Sequence, residues 1–341
     1  MSTILSYIPY ILLALVVFSL LIIGHEFGHF ILARINGVKV NEFSLGMGKK
    51  VWSYKGKKTE YSLRIAPIGG FVAMEGEAED SEDPSAFSNK SPLRRISIIA
   101  AGPIMNFIMA ILFFAISSYM MGFAIPQISK IEANTPAQVA QLNVGDEIVK
   151  ADGRKINTWS DFLLVMSEQD GSSMDLEVKR DGELITKSIT PQKKDDAFTI
   201  GINATIVKPN LWQAITNGAN ETKTMVKETF KFFGKLFQGD VSKDDVGGPV
   251  SIVKLSVNMA QQGLAPLMFF AGFLSVQLGI FNLIPFPALD GGWITILLIE
   301  FILRRKIDEN KIAIINNIGF TILIGLMILI TIKDIISPIQ F

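Results

Sequence analysis

The chain has 341 residues, 49% of them apolar, with 32 basic and 32 acidic side chains and a formal net charge of zero. That balance argues against nucleic acid as a partner, which would call for a basic surface. There is no cysteine, so disulfides and thiolate ligands are excluded and any zinc must be held by His, Asp or Glu. The mean hydropathy of +0.38 fits a chain that alternates membrane spans with water-exposed parts.

The first predicted element is a membrane helix over Ile8–Leu32, near the ~20 residues that a bilayer requires. It lacks the basic n-region of a signal peptide, which predicts a retained helix. It also carries the only two histidines of the chain, in His25-Glu26-Phe27-Gly28-His29. Residues four apart share one helix face, so both imidazoles can hold one metal ion. Zinc lowers the pKa of its water to about 7, and a carboxylate beside the first histidine can then take a proton as general base. H-E-x-x-H on a helix is a zinc-hydrolase signature. An acidic residue inside a span costs at least ~2.5 kcal/mol, which makes Glu26 a functional candidate.

Val51–Ala66 reads as a β-hairpin: Val51–Tyr54 and Tyr61–Ile65 alternate around the turn Lys55-Gly56-Lys57-Lys58. Glu75–Asp83 is acidic and is expected to be a solvated loop. A second span is predicted at Ile96–Phe123. Ile125–Gln192 has the pattern of a small α/β module, with a helix at Trp159–Ser167 and a hairpin signal in Asp181-Gly182. Leu211–Phe237 is predicted to be an amphipathic helix with a mostly apolar stripe through Leu211, Ile215, Thr222, Val226, Phe230, Phe233 and Phe237. Its lysines 223, 227, 231 and 235 recur every four residues, suiting either an anionic membrane surface or a partner face on the α/β module. A third span is predicted at Pro266–Pro285, where Gly and Pro interrupt the pattern. A short apolar helix at Trp293–Leu303 and a last span at Ile314–Ile336 follow.

Basic residues set the orientation. The segment from Arg34 to Arg95 is rich in Lys and Arg, and Arg304, Arg305, Lys306 and Lys311 precede the last span. Both loops are expected in the cytoplasm, with the Ile125–Ala265 region outside and His25 and His29 toward the cytoplasmic end of their span.

Two histidines leave a tetrahedral zinc one protein ligand short. Asp290 is the best candidate, because prolines and glycines in Pro285-Phe286-Pro287-Ala288-Leu289-Asp290-Gly291-Gly292 put it on irregular backbone. The competing role for Asp290 is a cap on the following helix. Glu300 is the competing carboxylate, although an interfacial ion pair accounts for it more simply.

Taken together, His-Glu-x-x-His in the first span, Gly102-Pro103-x-x-Asn106 in the second, and Asn282-x-x-Pro285-x-Pro287-x-Leu289-Asp290-Gly291 late in the chain resemble the site-2 protease family of intramembrane metalloproteases, in its bacterial RseP-type branch. The resemblance runs in order along essentially the whole chain, including Tyr61–Val72 and Asp83–Phe87. It implies a polytopic α-helical membrane protein of about four spans, with a membrane-associated sheet and one inserted extracytoplasmic PDZ domain. The corresponding domains are 1–124, 125–205 (PDZ), 206–262 and 263–341.

The resemblance also implies zinc as cofactor, held by His25, His29 and Asp290, with Glu26 as base. Asn282 would stand near the reacting peptide, and as a lone intramembrane Asn it could equally join helices by hydrogen bonding. Tyr61, Leu63, Ile65, Gly69, Gly70, Asn106 and Pro285 would line the substrate, held as an added strand. The substrates implied are single-span membrane proteins already cut once, such as anti-sigma factors, or signal-peptide remnants. Asn134-Thr135-Pro136-Ala137, Leu142–Val149 and Gly153 resemble a PDZ domain, which would bind a peptide or admit only trimmed ectodomains. The location implied is a bacterial cytoplasmic membrane. Two other classes compete. A metal carrier would not need Glu26 beside the metal, and an inactive scaffold would not retain the full catalytic set.

Overall fold

The computed structural model describes residues 2–77, 81–194, 197–240 and 247–337. The chain divides into two units, one formed by 1–110 with 234–341 and the other by 111–233. The boundaries fall inside two long helices, α2 and α5.

In the first unit, α1 (Ser2–Ile35) leads into a hairpin of β1 (Val40–Lys55) and β2 (Glu60–Met74). α2 (Pro92–Met121) starts here, and the unit is completed by α6 (Pro249–Gln262), α7 (Leu264–Leu283), α8 (Asp290–Leu303) and α9 (Glu309–Ile336). Four helices are long and apolar enough to cross a membrane: Tyr7–Ile35, Pro92–Met121, Leu264–Leu283 and Asn310–Ile336. Each overlaps an expected span. At 14 residues, α8 is about 21 Å long, short of the hydrocarbon thickness of about 30 Å. The expected interruption of the third span lies after α7, in 284–289, and α7 itself is continuous.

The β1–β2 hairpin is longer than the expected Val51–Ala66 and is folded back on itself. Phe43 pairs with both Tyr61 and Val72, and Leu45 with both Leu63 and Gly70, while Trp52 pairs with Leu63 and Tyr54 with Tyr61. The two long strands therefore make a sheet of four rungs, in the order Trp52–Lys55, Glu60–Leu63, Glu42–Leu45 and Gly70–Met74. Gly46, Gly48 and Gly69 take positive φ at the bends, where a side chain would be strained. Phe30 of α1 packs edge-on against Phe43 at 5.4 Å between ring centroids and lies 6.3 Å from Tyr61, which fixes the sheet to the metal-motif helix. A core of Ala33, Val40, Val72, Phe87, Ile98 and Leu297 ties α1, the sheet, α2 and α8 together. In the acidic segment Glu75–Asp83, residues 78–80 lie outside the described ones; Glu75 is bonded to Lys39 and Asn41.

The second unit begins with the end of α2. It contains β3 (Phe123–Ile131), α3 (Pro136–Val139), β4 (Glu147–Ala151), β5 (Arg154–Lys155), α4 (Trp159–Met166), β6 (Met174–Arg180), β7 (Glu183–Ile189), β8 (Gln192–Lys194), β9 (Ala197–Thr199), β10 (Ile202–Val207) and most of α5 (Leu211–Gln238). Its main sheet runs β10-β3-β4-β6-β7 and is antiparallel. Ile128, Ile148, Phe162, Leu176, Val178 and Ile200 are among the buried residues of its core. Thr158 and Asp161 form a capping box at the start of α4, which satisfies two backbone donors reciprocally. The unit is a small α/β module.

The apolar stripe of α5 is not its buried face: Leu211, Phe230 and Phe237 are exposed. The buried face is small and polar, with Ala214, Asn217, Gly218, Glu221 and Thr224. Gly218 lets the helix approach α2, since a Cβ there would lie 2.4 Å from the Ile111 carbonyl oxygen. Asn217 donates to Ser118 at 2.8 Å. The α/β module is the partner of the basic stripe at two positions: Lys227 pairs with Asp161 at 3.5 Å and Lys231 pairs with Glu168.

Candidate metal centre

His25 and His29 lie on adjacent turns of α1, and Asp290 is the first residue of α8. They form the one cluster of three ligand-type side chains found among the described residues, with ligand atoms all within 4.8 Å of one another. The two Nε2 atoms are 3.2 Å apart. Asp290 Oδ2 lies 3.2 Å from His25 Nε2 and 3.7 Å from His29 Nε2. Ligands about 2.0–2.1 Å from a tetrahedral zinc stand about 3.3 Å apart, so the three atoms are spaced to share one ion. Asp290 Oδ2 is buried without a hydrogen-bond partner, an arrangement that is costly unless a cation completes it. The capping role considered for Asp290 does not apply, because Leu289 is the N-cap residue of α8.

Each imidazole is held from behind. His29 Nδ1 donates to the Ile98 carbonyl at 2.9 Å. The side-chain amide of Asn106 meets His25 Nδ1 at 3.1 Å. The Asn106 atom that faces Nδ1 is its amide nitrogen, and its side-chain oxygen is buried without a partner; with Nε2 on zinc the proton sits on Nδ1, so the amide turned end for end would accept it. Ser275 of α7 donates to the Asn106 backbone carbonyl at 2.7 Å, bracing that residue in turn. Gly102 makes room for both rings: a Cβ there would fall 2.3 Å from His29 Nε2 and 2.8 Å from His25 Cε1. Gly28, inside the motif, lets α1 touch α2, since its Cβ would be 2.2 Å from the Ala101 carbonyl oxygen.

The loop that delivers Asp290 is held by α9. Asn316 accepts the Ala288 backbone N–H at 3.2 Å, and Ala288 has φ +72°. Gly319 accommodates Pro287, since a Cβ at Gly319 would lie only 2.5 Å from the proline side chain. Neither Asn316 nor Gly319 belongs to a recognisable motif. Glu300, the competing carboxylate, is committed elsewhere: it pairs with Arg95 at 3.0 Å and accepts the Ile307 N–H at 3.0 Å.

Glu26 is half-buried between the metal cluster and the sheet. Its carboxylate accepts the Val72 backbone N–H and lies near His29, His25 and Asp290. A Cβ on Gly70 would approach the Glu26 side chain at 3.3 Å. The rung next to Glu26 is thus Gly70–Met74, an edge of the sheet. Tyr61 and Leu63 lie on an inner rung, paired on both sides, and Ile65 is exposed beyond it. Asn106, implied by the resemblance to line the substrate, is fully buried and its side chain meets His25. Asn282 lies half-buried on the last turn of α7, and Pro285 is exposed in the loop after it.

The family model for "Peptidase family M50" matches residues 13–326. The chain belongs to peptidase family M50. This M50 peptidase is 43% identical to a protein of Clostridium acetobutylicum, over 97% of this chain and 98% of the relative, and 44% identical to one of Clostridium perfringens, over 97% and 99%. Both are named as inferred zinc metalloproteases. It is also 30% identical to the regulator of sigma-W protease RasP of Bacillus subtilis, over 94% of this chain and 97% of the relative. The M50 peptidase is therefore a zinc metalloprotease, with Zn²⁺ as its cofactor and membrane-capable helices around its ligands. A PDZ domain of an SdrC-like protein from Listeria innocua matches 24% of this chain and 92% of its own, at 21% identity and a TM-score of 0.22, too low to bear on the fold.

Proposed function

We propose that this chain is an intramembrane endopeptidase that cuts single-span membrane proteins in or beside their transmembrane segment. The observation that carries the reading is the placement of Glu26 between the His25–His29–Asp290 cluster and the Gly70–Met74 sheet edge, on helices apolar enough to span a membrane.

His25, His29 and Asp290 would hold zinc, which when bound would polarise a water and the scissile carbonyl. Glu26 is placed to take a proton from a water as the water's oxygen bonds to the carbonyl carbon. The same carboxyl returns the proton to the leaving nitrogen as the C–N bond breaks. Asn282 serves as a polar group near the developing oxyanion. A substrate helix hides its peptide groups in its own hydrogen bonds, so it must unwind first. An edge strand beside Glu26 can hold the unwound stretch by β-addition. Substrates trimmed by a first cut, such as anti-sigma factors, and signal-peptide remnants fit this requirement. Support for the anti-sigma class comes from the relative named as a regulator of sigma-W protease.

The Lys- and Arg-rich loops support an active site toward the cytoplasmic side of a bacterial membrane, with the PDZ-like segment outside. In that position the PDZ-like unit restricts access to trimmed substrates or binds their exposed ends.

The test is cleavage of a single-span substrate in liposomes by wild type and Glu26→Gln, with zinc assayed in both. Cleavage by wild type alone, with zinc in both, supports the proposal. Equal cleavage by the two removes Glu26 from the mechanism.

A further inference from the structure

We propose that a basic cavity at the C-terminal end of α8 binds the phosphate headgroup of an anionic phospholipid. The cavity has a volume of about 580 Å³ and is lined by Lys90, Arg95, Arg304, Arg305 and Lys306, with Glu300 as the one carboxylate. Glu300 pairs with Arg95 at 3.0 Å, so the lining as a whole carries a clear excess of positive charge. A concave site with several cations around one small volume is chemistry for a phosphate, which accepts several charge-assisted hydrogen bonds at once.

The depth of the cavity selects the source of that phosphate. α2 and its membrane-capable stretch both begin at Pro92, and α8 ends at Leu303. Pro92 itself, with Phe301 and Ile302, completes the lining, and Ile302 is 74% exposed. The lining thus changes from cationic to apolar where apolar helices end, the level at which a headgroup meets its acyl chains. A soluble phosphate would have no use for the apolar wall. Basic pockets between helices on the cytoplasmic side are suited to anionic headgroups, and each Lys or Arg near an anionic surface contributes roughly fivefold in binding.

The site lies on the helix that carries Asp290 at its other end, and Arg95 and Glu300 also line a second cavity of about 240 Å³ that includes Trp293 and Asn316. Asn316 holds the loop before Asp290. A bound lipid would therefore brace the helix that positions the third metal ligand. The binding proposal itself does not depend on the proteolytic reading.

The experiment is native mass spectrometry of the full chain released from detergent, with phosphatidylglycerol or phosphatidylcholine added. Wild type is expected to retain phosphatidylglycerol at least tenfold better. Arg304→Gln with Arg305→Gln and Lys306→Gln should abolish that preference, whereas Arg304→Lys with Arg305→Lys and Lys306→Arg should keep it. Lys90→Gln with Arg305→Gln leaves the end of α8 intact and should lose roughly 25-fold by the same per-charge factor. Unchanged retention in that double variant overturns the proposal. So does displacement of phosphatidylglycerol by millimolar inorganic phosphate, which would make free phosphate the ligand.

Discussion

The side-chain amide of Asn106 meets His25 Nδ1 at 3.1 Å, so the ring that offers Nε2 to zinc is gripped at its other nitrogen. The contact fixes the ring plane, and the zinc on Nε2 would set the tautomer. Removing such an outer partner typically costs 10–100-fold in metal affinity. Asn106→Ala is expected to weaken zinc binding by about that factor, measured by competition with a chelator of known affinity. Asn106→Asp keeps an oxygen acceptor at the same place and should stay within a few-fold of wild type. An alanine variant with wild-type affinity would sink the assignment.

Gly102 stands against both imidazoles, and its missing side chain is a condition for the metal site. A methyl group there would lie 2.3 Å from His29 Nε2, well inside contact distance, and the obstacle is the ligand atom itself. Gly102→Ala should lose zinc, seen as a metal content well below one per chain, with helical content by circular dichroism retained. Full zinc occupancy in this variant would show that α2 can shift to relieve the contact.

The cluster of His25, His29 and Asp290 was legible in the sequence, because the two histidines carry their geometry in their spacing and the Pro-Gly punctuation around Asp290 announces irregular backbone. The spans were legible for the same kind of reason, since length and hydropathy are local properties. The sheet was not. Trp52–Tyr54 and Tyr61–Leu63 read as one short hairpin, while the pairing of Phe43 with both Tyr61 and Val72 depends on bends at Gly46, Gly48 and Gly69 that alternation cannot reveal. The Asn106–His25 contact joins residues 81 positions apart, and the Asn316 hold on Ala288 has no motif at all. In α5 the two stripes were legible, but the face built around Gly218 that approaches α2 carries no periodic signal.

Glu221 gives the α4–α5 contact a pH dependence. Burial pushes its carboxyl up to about 7, with repulsion from Asp161 and Glu228 adding to it and a hydrogen bond with Ser160 partly offsetting it. Its native value lies above the ordinary 4.5, so the contact is at full strength below that ordinary value and weakens as pH rises through about 7. The charged form costs roughly 3 kcal/mol at alkaline pH. Lys227 and Lys231 do not relieve this, being paired with Asp161 and Glu168. Hydrogen exchange corrected for intrinsic rates should show α4 and α5 less protected at about pH 8.5 than at about pH 5.5. In Glu221→Gln that difference should vanish. A wild-type contact equally protected at both values would mean that the carboxyl finds solvent or a cation when it ionises.

The last prediction concerns which rung of the sheet receives substrate. The sheet has two edges, Trp52–Lys55 and Gly70–Met74, and the inner rungs are paired on both sides. Only an edge has backbone groups free to add a strand. The Gly70–Met74 edge adjoins Glu26, through the Val72 N–H and the close approach of Gly70, so a peptide bond held there is within reach of the base and the metal. The chain has no cysteine, which makes single-cysteine cross-linking clean. Ala73→Cys, in a background carrying Glu26→Gln to keep substrate intact, is expected to form a disulfide with a cysteine near the scissile bond. Leu63→Cys on the inner rung and Tyr54→Cys on the far edge should give at least tenfold less. Equal yield at Tyr54 and Ala73 would place substrate without regard to the base, and yield at Leu63 alone would mean that the sheet opens between its inner rungs to admit it.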